Sequence, residues 1–128
     1  MKHLLPPGWK RPKGYANGVA ADGRQVYVAG MIGWDADEVL ADGFVAQFRQ
    51  ALENTVAVLA EGNAGPEHVV RMTWYVRGLD EYRQNLVGIG EAWRDVMGKN
   101  FPAMAVVGVT ELVEHDALIE IETTAVVS

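Results

Sequence analysis

The chain has no cysteine, and that absence removes disulfides, thiolate nucleophiles and cysteine-ligated zinc or iron–sulfur centres in one step. Any chemistry must come from oxygen, nitrogen or backbone groups. Basic charge is also scarce, with 11 Lys and Arg against 17 Asp and Glu for a formal net charge of −6. Phosphate backbones are bound through basic patches, so no nucleic-acid partner is expected. The one local cluster, Lys10, Arg11 and Lys13, lies in a Pro/Gly-rich lead-in and reads as a solvated tail. No apolar run approaches the roughly 20 residues of a membrane helix. The start, "MKHLLPPGWKRPKGY", lacks the apolar stretch of a signal peptide, so no membrane partner and a cytoplasmic location are expected.

Familiar catalytic signatures are missing as well. There is no G-x-x-x-x-G-K-S/T, no G-x-G-x-x-G after a strand, no G-x-S-x-G and no H-E-x-x-H. Only three histidines occur: His3 in the lead-in, His68 in a helix-to-strand connection, and His115 between Glu114 and Asp116. Three consecutive residues of one turn cannot all converge on an ion, so no metal site is expected there. "DADE", Asp35 to Glu38, begins like a calcium loop but lacks its glycine and its closing glutamate, and reads as a solvated acidic loop.

What is present fits one domain over residues 1–128, with residues 1–14 as an extended arm set by Pro6, Pro7 and Pro12. Gly18 to Ala20, a turn at Asp22-Gly23 and a β-rich run from Gln25 to Ile32 predict a hairpin. Apolar residues three and four apart from Phe44 to Leu59 predict an amphipathic helix, capped by Asp42 and stopped by Gly62. "HVVRMTWYVRG" alternates Val70, Met72, Trp74 and Val76 against Arg71, Thr73, Tyr75 and Arg77, the pattern of a half-buried strand. Asp80 can then cap a second helix carrying the stripe Tyr82, Leu86, Ile89, Trp93 and Val96, with Gly98 as its end. Two further strands follow, about Met104 to Thr110 and Leu118 to Val127.

The order is β-β-α-β-α-β-β, an α+β fold with one sheet and two helices able to cover one of its faces. The other face needs a partner, and oligomerisation is expected on burial grounds. In "IEIE", Glu120 and Glu122 point to one side and Ile119 and Ile121 to the other. If the isoleucines meet the helices, the carboxylates lie on the open face. There they form either a solvent-facing ladder or, in an oligomer, half-buried acids with raised pKa able to act as general acid or base.

The stretches "GYANGVAADGRQVYVAGMIGWD", "QFRQALENTVAVLAEGNAGPEHVVRMTWYV" and "FPAMAVVGV…LIEIETTAVV" resemble the Rid family, the YjgF-like reactive-intermediate deaminases once labelled L-PSP endoribonucleases, in register from about Gly14 to Val127. The resemblance implies a chorismate-mutase-like subunit with a mixed sheet, assembled as a homotrimeric barrel with ligand clefts between subunits. It also implies hydrolysis of enamines or imines, such as 2-aminoacrylate, to keto acids and ammonia without metal or cofactor.

By the same resemblance, Tyr15 matches the family tyrosine near the N-terminus and Glu120 the glutamate of the last strand. Ala29-Gly30-Met31 stands where the family has Ser-Gly-Gln. The asparagine of the second helix falls at Val87, with Asn85 nearby. Met104 takes the place of the arginine that grips the substrate carboxylate, and no other arginine is obviously placed to replace it. Glu120 and Tyr15 are therefore the expected catalytic residues, and Gly30, Ala29, Met31, Trp34, Met104 and Glu114 the expected substrate-binding residues. Met31, Trp34 and Met104 would form an apolar wall for an enamine or imine larger and more apolar than 2-aminoacrylate. The alternative is a trimer that binds a small metabolite, or serves a regulatory role, without chemistry.

Overall fold

A computed structural model describes all 128 residues. The elements run β1 (Lys2–Leu4), β2 (Gly18–Ala20), β3 (Arg24–Ile32), α1 (Phe44–Glu61), β4 (Val69–Arg77), α2 (Leu79–Gln84), α3 (Leu86–Met97), β5 (Ala103–Val109) and β6 (Ile119–Val127). Four strands form the main sheet in the order β3-β6-β4-β5, antiparallel except for β4 beside β5. A parallel pair needs a crossover, and α2 and α3 supply it. The fold is the α+β arrangement expected, a mixed sheet with its helices on one face.

One apolar layer explains why these segments pack as they do. The helix period of α1 places Phe48, Leu52 and Leu59 on one stripe, and the strand period of β4 and β6 places Met72, Trp74, Val76, Ile119 and Ile121 on one face. All are buried, together with Ile89, Ala92, Trp93 and Met97 from α3. Phe48 meets Trp74 edge-on at 4.8 Å between ring centroids, Trp74 lies 5.8 Å from Trp93, and Trp93 stacks on Phe101 at 6.2 Å and 12°. This aromatic row joins α1, β4, α3 and the entry to β5.

The expected hairpin between β2 and β3 does not form. β2 pairs with β1 instead, so the arm contains a strand, while β3 pairs with β6 from Arg24 to Ile32. Nine residues of β3 gain a long partner in β6, where three residues of β2 could offer only a short one. Gly23, at φ 145°, packs so closely on the end of β6 that an added Cβ would collide with the Val127 carbonyl. It therefore serves as a close-approach position and not as a hairpin tip.

Other boundaries shift for local reasons. Helix α1 starts after Gly43, not Asp42, with no side-chain cap, and ends at Gly62 as expected. The single second helix breaks at Asn85, whose Nδ2 donates to the Glu81 carbonyl at 2.7 Å. In an unbroken helix that carbonyl would accept the Asn85 backbone N–H, which turns to Tyr82 O at 3.1 Å instead. The break leaves Leu86 exposed and out of the core stripe. In β4 the register shifts between Val69 and Arg71, so Val69, not Val70, is the buried residue.

The indole Nε1 atoms of Trp74 and Trp93 are buried without a hydrogen-bond partner. An unsatisfied buried donor costs about 1–3 kcal/mol, which partly offsets what the indole ring contributes. Trp93→Phe, which deletes the orphan donor and keeps most of the ring, is expected to cost about 1 kcal/mol or less. Trp93→Ala should cost about 3–5 kcal/mol. Urea unfolding midpoints at equal protein concentration check the difference.

Candidate functional site

The expected site residues fall into two groups, one at the β5 edge of the main sheet and one around the opposite edge strand β3 and its neighbour β6. The first lies at β5. Met104 pairs with Met72 across the parallel ladder and Val106 with Trp74, so both point to the helix-covered side. With Trp74, Trp93, Phe101 and Ile89 they line a cavity of about 710 Å³ under α3. Tyr15 stands at its rim because Ala16 pairs with Ala103, its N–H donating to Pro102 O at 2.8 Å. The segment ahead of β2 thus runs along β5 and fixes the tyrosine beside Met104.

The second group lies at β3 and β6. Tyr75 of β4 sits opposite Glu120, and Thr73 opposite Glu122, so the carboxylates are on the open face while Ile119 and Ile121 are fully buried. Between Val28 and Met31 strand β3 bulges, setting Ala29 and Gly30 against Glu122. The Glu120 side chain folds over Gly30: a Cβ there would stand 2.7 Å from Glu120 Cδ. The glycine is needed because its missing side chain leaves the space that the carboxylate occupies.

Met31 pairs with Ile121 and packs on the core, on the side opposite to Glu120. Trp34 follows β3 in a turn held by Asn54, whose Nδ2 donates to Ile32 O at 3.0 Å and Trp34 O at 2.7 Å. Glu114 is exposed in the turn before β6, which the buried Gln47 ties to α1 by donating to Asp116 O and accepting from Leu118 N. None of Ala29, Gly30, Met31, Trp34, Glu114 and Glu120 borders the cavity that holds Tyr15 and Met104. With β6 and β4 between β3 and β5, the two edges are about 14 Å apart. The apolar wall expected from Met31, Trp34 and Met104 is therefore not formed within one chain, because those residues stand at opposite edges.

Several residues outside the expected set sit at these places. Lys13, Arg94 and Lys99 border the cavity, so one basic residue of the lead-in and one arginine line the same cavity as Met104. Arg94 was hidden from sequence reasoning because its neighbourhood depends on how α3 packs over β5. Tyr75 donates to Glu122 Oε1 at 2.6 Å. This hydrogen bond, together with burial and the charges of Glu122 and Glu120, holds its phenol above the usual value. The alternation of "RMTWYVR" against "IEIE" contained that pairing once strand order was known. Val87, the position at which a gap-free alignment sets the family asparagine, is 78% exposed, and the Asn85 side chain donates to the Glu81 carbonyl.

This α+β domain has an apolar cavity at its β5 edge and a pair of carboxylates on the open face of the central strand β6. The family described as Endoribonuclease L-PSP matches residues 9–127. The RutC family protein UK114 of Drosophila melanogaster is 35% identical over 113 residues, 87% of this chain and 78% of that one. The solved structure of the Rid family protein YyfB of Yersinia pestis superposes with a TM-score of 0.86 at 31% identity over 98% of both chains. RidA of an Antarctic Psychrobacter superposes at 0.72 with 25% identity over 92% of each chain. The chain belongs to this Rid/YjgF/L-PSP family.

Two outcomes test the open face. Gly30→Val should displace the Glu120 carboxylate and abolish whatever depends on it, while costing stability less than about 1 kcal/mol, because only the end of a flexible side chain must move. Tyr75 has a raised folded-state pKa, so the stability it contributes is complete below the ordinary value near ~10 and is lost as pH rises through the raised one. Absorbance at alkaline pH should show one tyrosine titrating late, and Glu122→Gln should bring it back toward ~10.

Proposed function

We propose that the chain is a cofactor-independent enamine/imine deaminase of the Rid family, acting on a substrate larger and more apolar than 2-aminoacrylate in clefts between the subunits of a homotrimer. The observation that carries this reading is the split of the matched residues: Tyr15 and Met104 share a cavity at the β5 edge, and Glu120 lies over Gly30 near the β3 edge. A homotrimer that brings the β5 edge of one copy to the β3 edge of the next unites them. The open sheet face with Tyr75, Glu120 and Glu122 supports such an assembly, since an uncovered face seeks a partner. No helix of the chain is long and apolar enough to cross a membrane, which accords with the proposed cytoplasmic location.

The chemistry asks little of the protein. An enamine first tautomerises to its imine. Water then adds to the C=N carbon, giving one proton to the Glu120 carboxylate, and the nitrogen gains protons as the C–O bond forms. The C–N bond breaks, ammonia leaves, and the carbonyl forms as the hydroxyl proton is lost, so imine plus water becomes ketone plus ammonia. Glu120 orients and deprotonates the water. Backbone groups at Gly30 hold the substrate, Tyr15 closes the cleft, and Met104 packs against its apolar part.

A second reading, a trimer that binds a small metabolite without turning it over, is favoured by Met104, because a thioether cannot grip a carboxylate as the family arginine does. Ammonia release decides between them. Imines generated in situ from small and aromatic amino acids by an amino-acid oxidase should be consumed faster with protein than without, aromatic ones most, and Glu120→Ala should remove the gain. Met104→Arg should shift preference toward small imino acids. No acceleration with any imine overturns the deaminase reading, and a light-scattering mass near one subunit overturns the homotrimer.

A further inference from the structure

The cavity at β5 has a sign of charge that the rest of the molecule does not. Acids outnumber bases 17 to 11 in the chain, yet the 15 residues lining the cavity include Lys13, Arg94 and Lys99 and no Asp or Glu. None of the three takes part in the chain's ion pairs, which join Arg49 to Asp95, His68 to Glu67 and Arg83 to Asp80. Arg94 lies in the last turn of α3, and Lys99 follows the Gly98 cap. The helix end they approach carries roughly half a negative charge, which one cation would more than balance. The three exposed cations thus give this mouth of the cavity a positive potential that favours an anionic group.

The remaining wall is apolar and largely aromatic. Trp74 and Trp93 form its floor beside Phe101, and Met104 and Val106 close it along β5. The two indole Nε1 atoms have no accessible surface and offer no donor to a ligand. Recognition of a negative group therefore falls to the cations at the rim. A volume of about 710 Å³ lies within the usual range of small-molecule sites and far exceeds what a three-carbon acid fills.

We propose that this cavity selects a monoanionic ligand with an aromatic body, a carboxylate whose ring lies against Trp74, Trp93 and Met104 and whose charge is held by Lys13, Arg94 and Lys99. It rests on reading the cavity as the ligand cleft, though not on any reaction there. Placing the anchor on α3 and the lead-in frees β5 to present Met104 and Val106 as an apolar wall. An aromatic 2-imino acid is the corresponding substrate class.

The test is titration of the purified protein with 3-phenylpropionate, propionate, 3-phenylpropanol and 3-phenylpropylamine, read by calorimetry. 3-Phenylpropionate should bind at least about tenfold more tightly than propionate, from burial of the ring, and more tightly than the alcohol or the amine. Lys13→Met, Arg94→Met and Lys99→Met should each weaken it by about two- to fivefold, and the triple variant by more. The amine or alcohol binding as well as the acid, or unchanged affinity in the triple variant, overturns the inference. Binding with this preference but no ammonia release from any imine upholds it and removes only the deaminase reading. Ammonia release without the charge preference does the reverse.

Discussion

Ile119 and Ile121 are completely buried, while Glu120 and Glu122, alternating with them along β6, lie on the open face. Everything else in the molecule is arranged around that alternation. Strand β6 is central, paired on both sides, and cannot slip by one residue without driving two carboxylates into the aromatic core and two isoleucines onto the open face. The register fixed by the isoleucines sets Tyr75 opposite Glu120 and aligns Gly30 beneath its carboxylate. The helices cover one face because the isoleucines are there, and the polar chemistry collects on the other because the glutamates are.

The same constraint separates the two groups of residues matched through the family. β5 joins the sheet beyond β4, and its parallel register turns Met104 and Val106 toward α3. The cavity at that edge therefore lies on the helix side, while Glu120 lies on the open side with two strands between the edges. Under the proposed homotrimer, the exposed edges β3 and β5 are where a neighbouring copy would bring the two groups together.

Much of this was legible in the sequence because it rests on short-range periodicity. The spacing of Phe48, Leu52 and Leu59 marked α1, and the alternation in "RMTWYVR" and "IEIE" marked β4, β6 and their faces. Strand pairing was less legible, since it depends on competition between distant segments: Asp22-Gly23 carried a hairpin signal, and the longer partner β6 won. The helix break at Asn85 was a contest between a side-chain amide and a backbone N–H for one carbonyl, which periodicity cannot register. The residues matched through the family resemblance were readable individually, but their division between two edges was not. Lys13, Arg94 and Lys99 come from segments far apart in sequence or on opposite sides of the Gly98 cap, and only the packing of α3 over β5 gathers them.

The central claim is that one working site takes its cavity from one copy and its carboxylate from the next. Mixing two variants tests it most directly, one with Glu120→Ala and one with Met104→Glu, each defective alone, after unfolding and refolding them together. Random reassembly of trimers leaves about a quarter of the interfaces with both halves intact, so the mixture should recover about a quarter of the wild-type ammonia release. A mixture no more active than either variant refolded alone, beside an active wild-type control, would contradict the account.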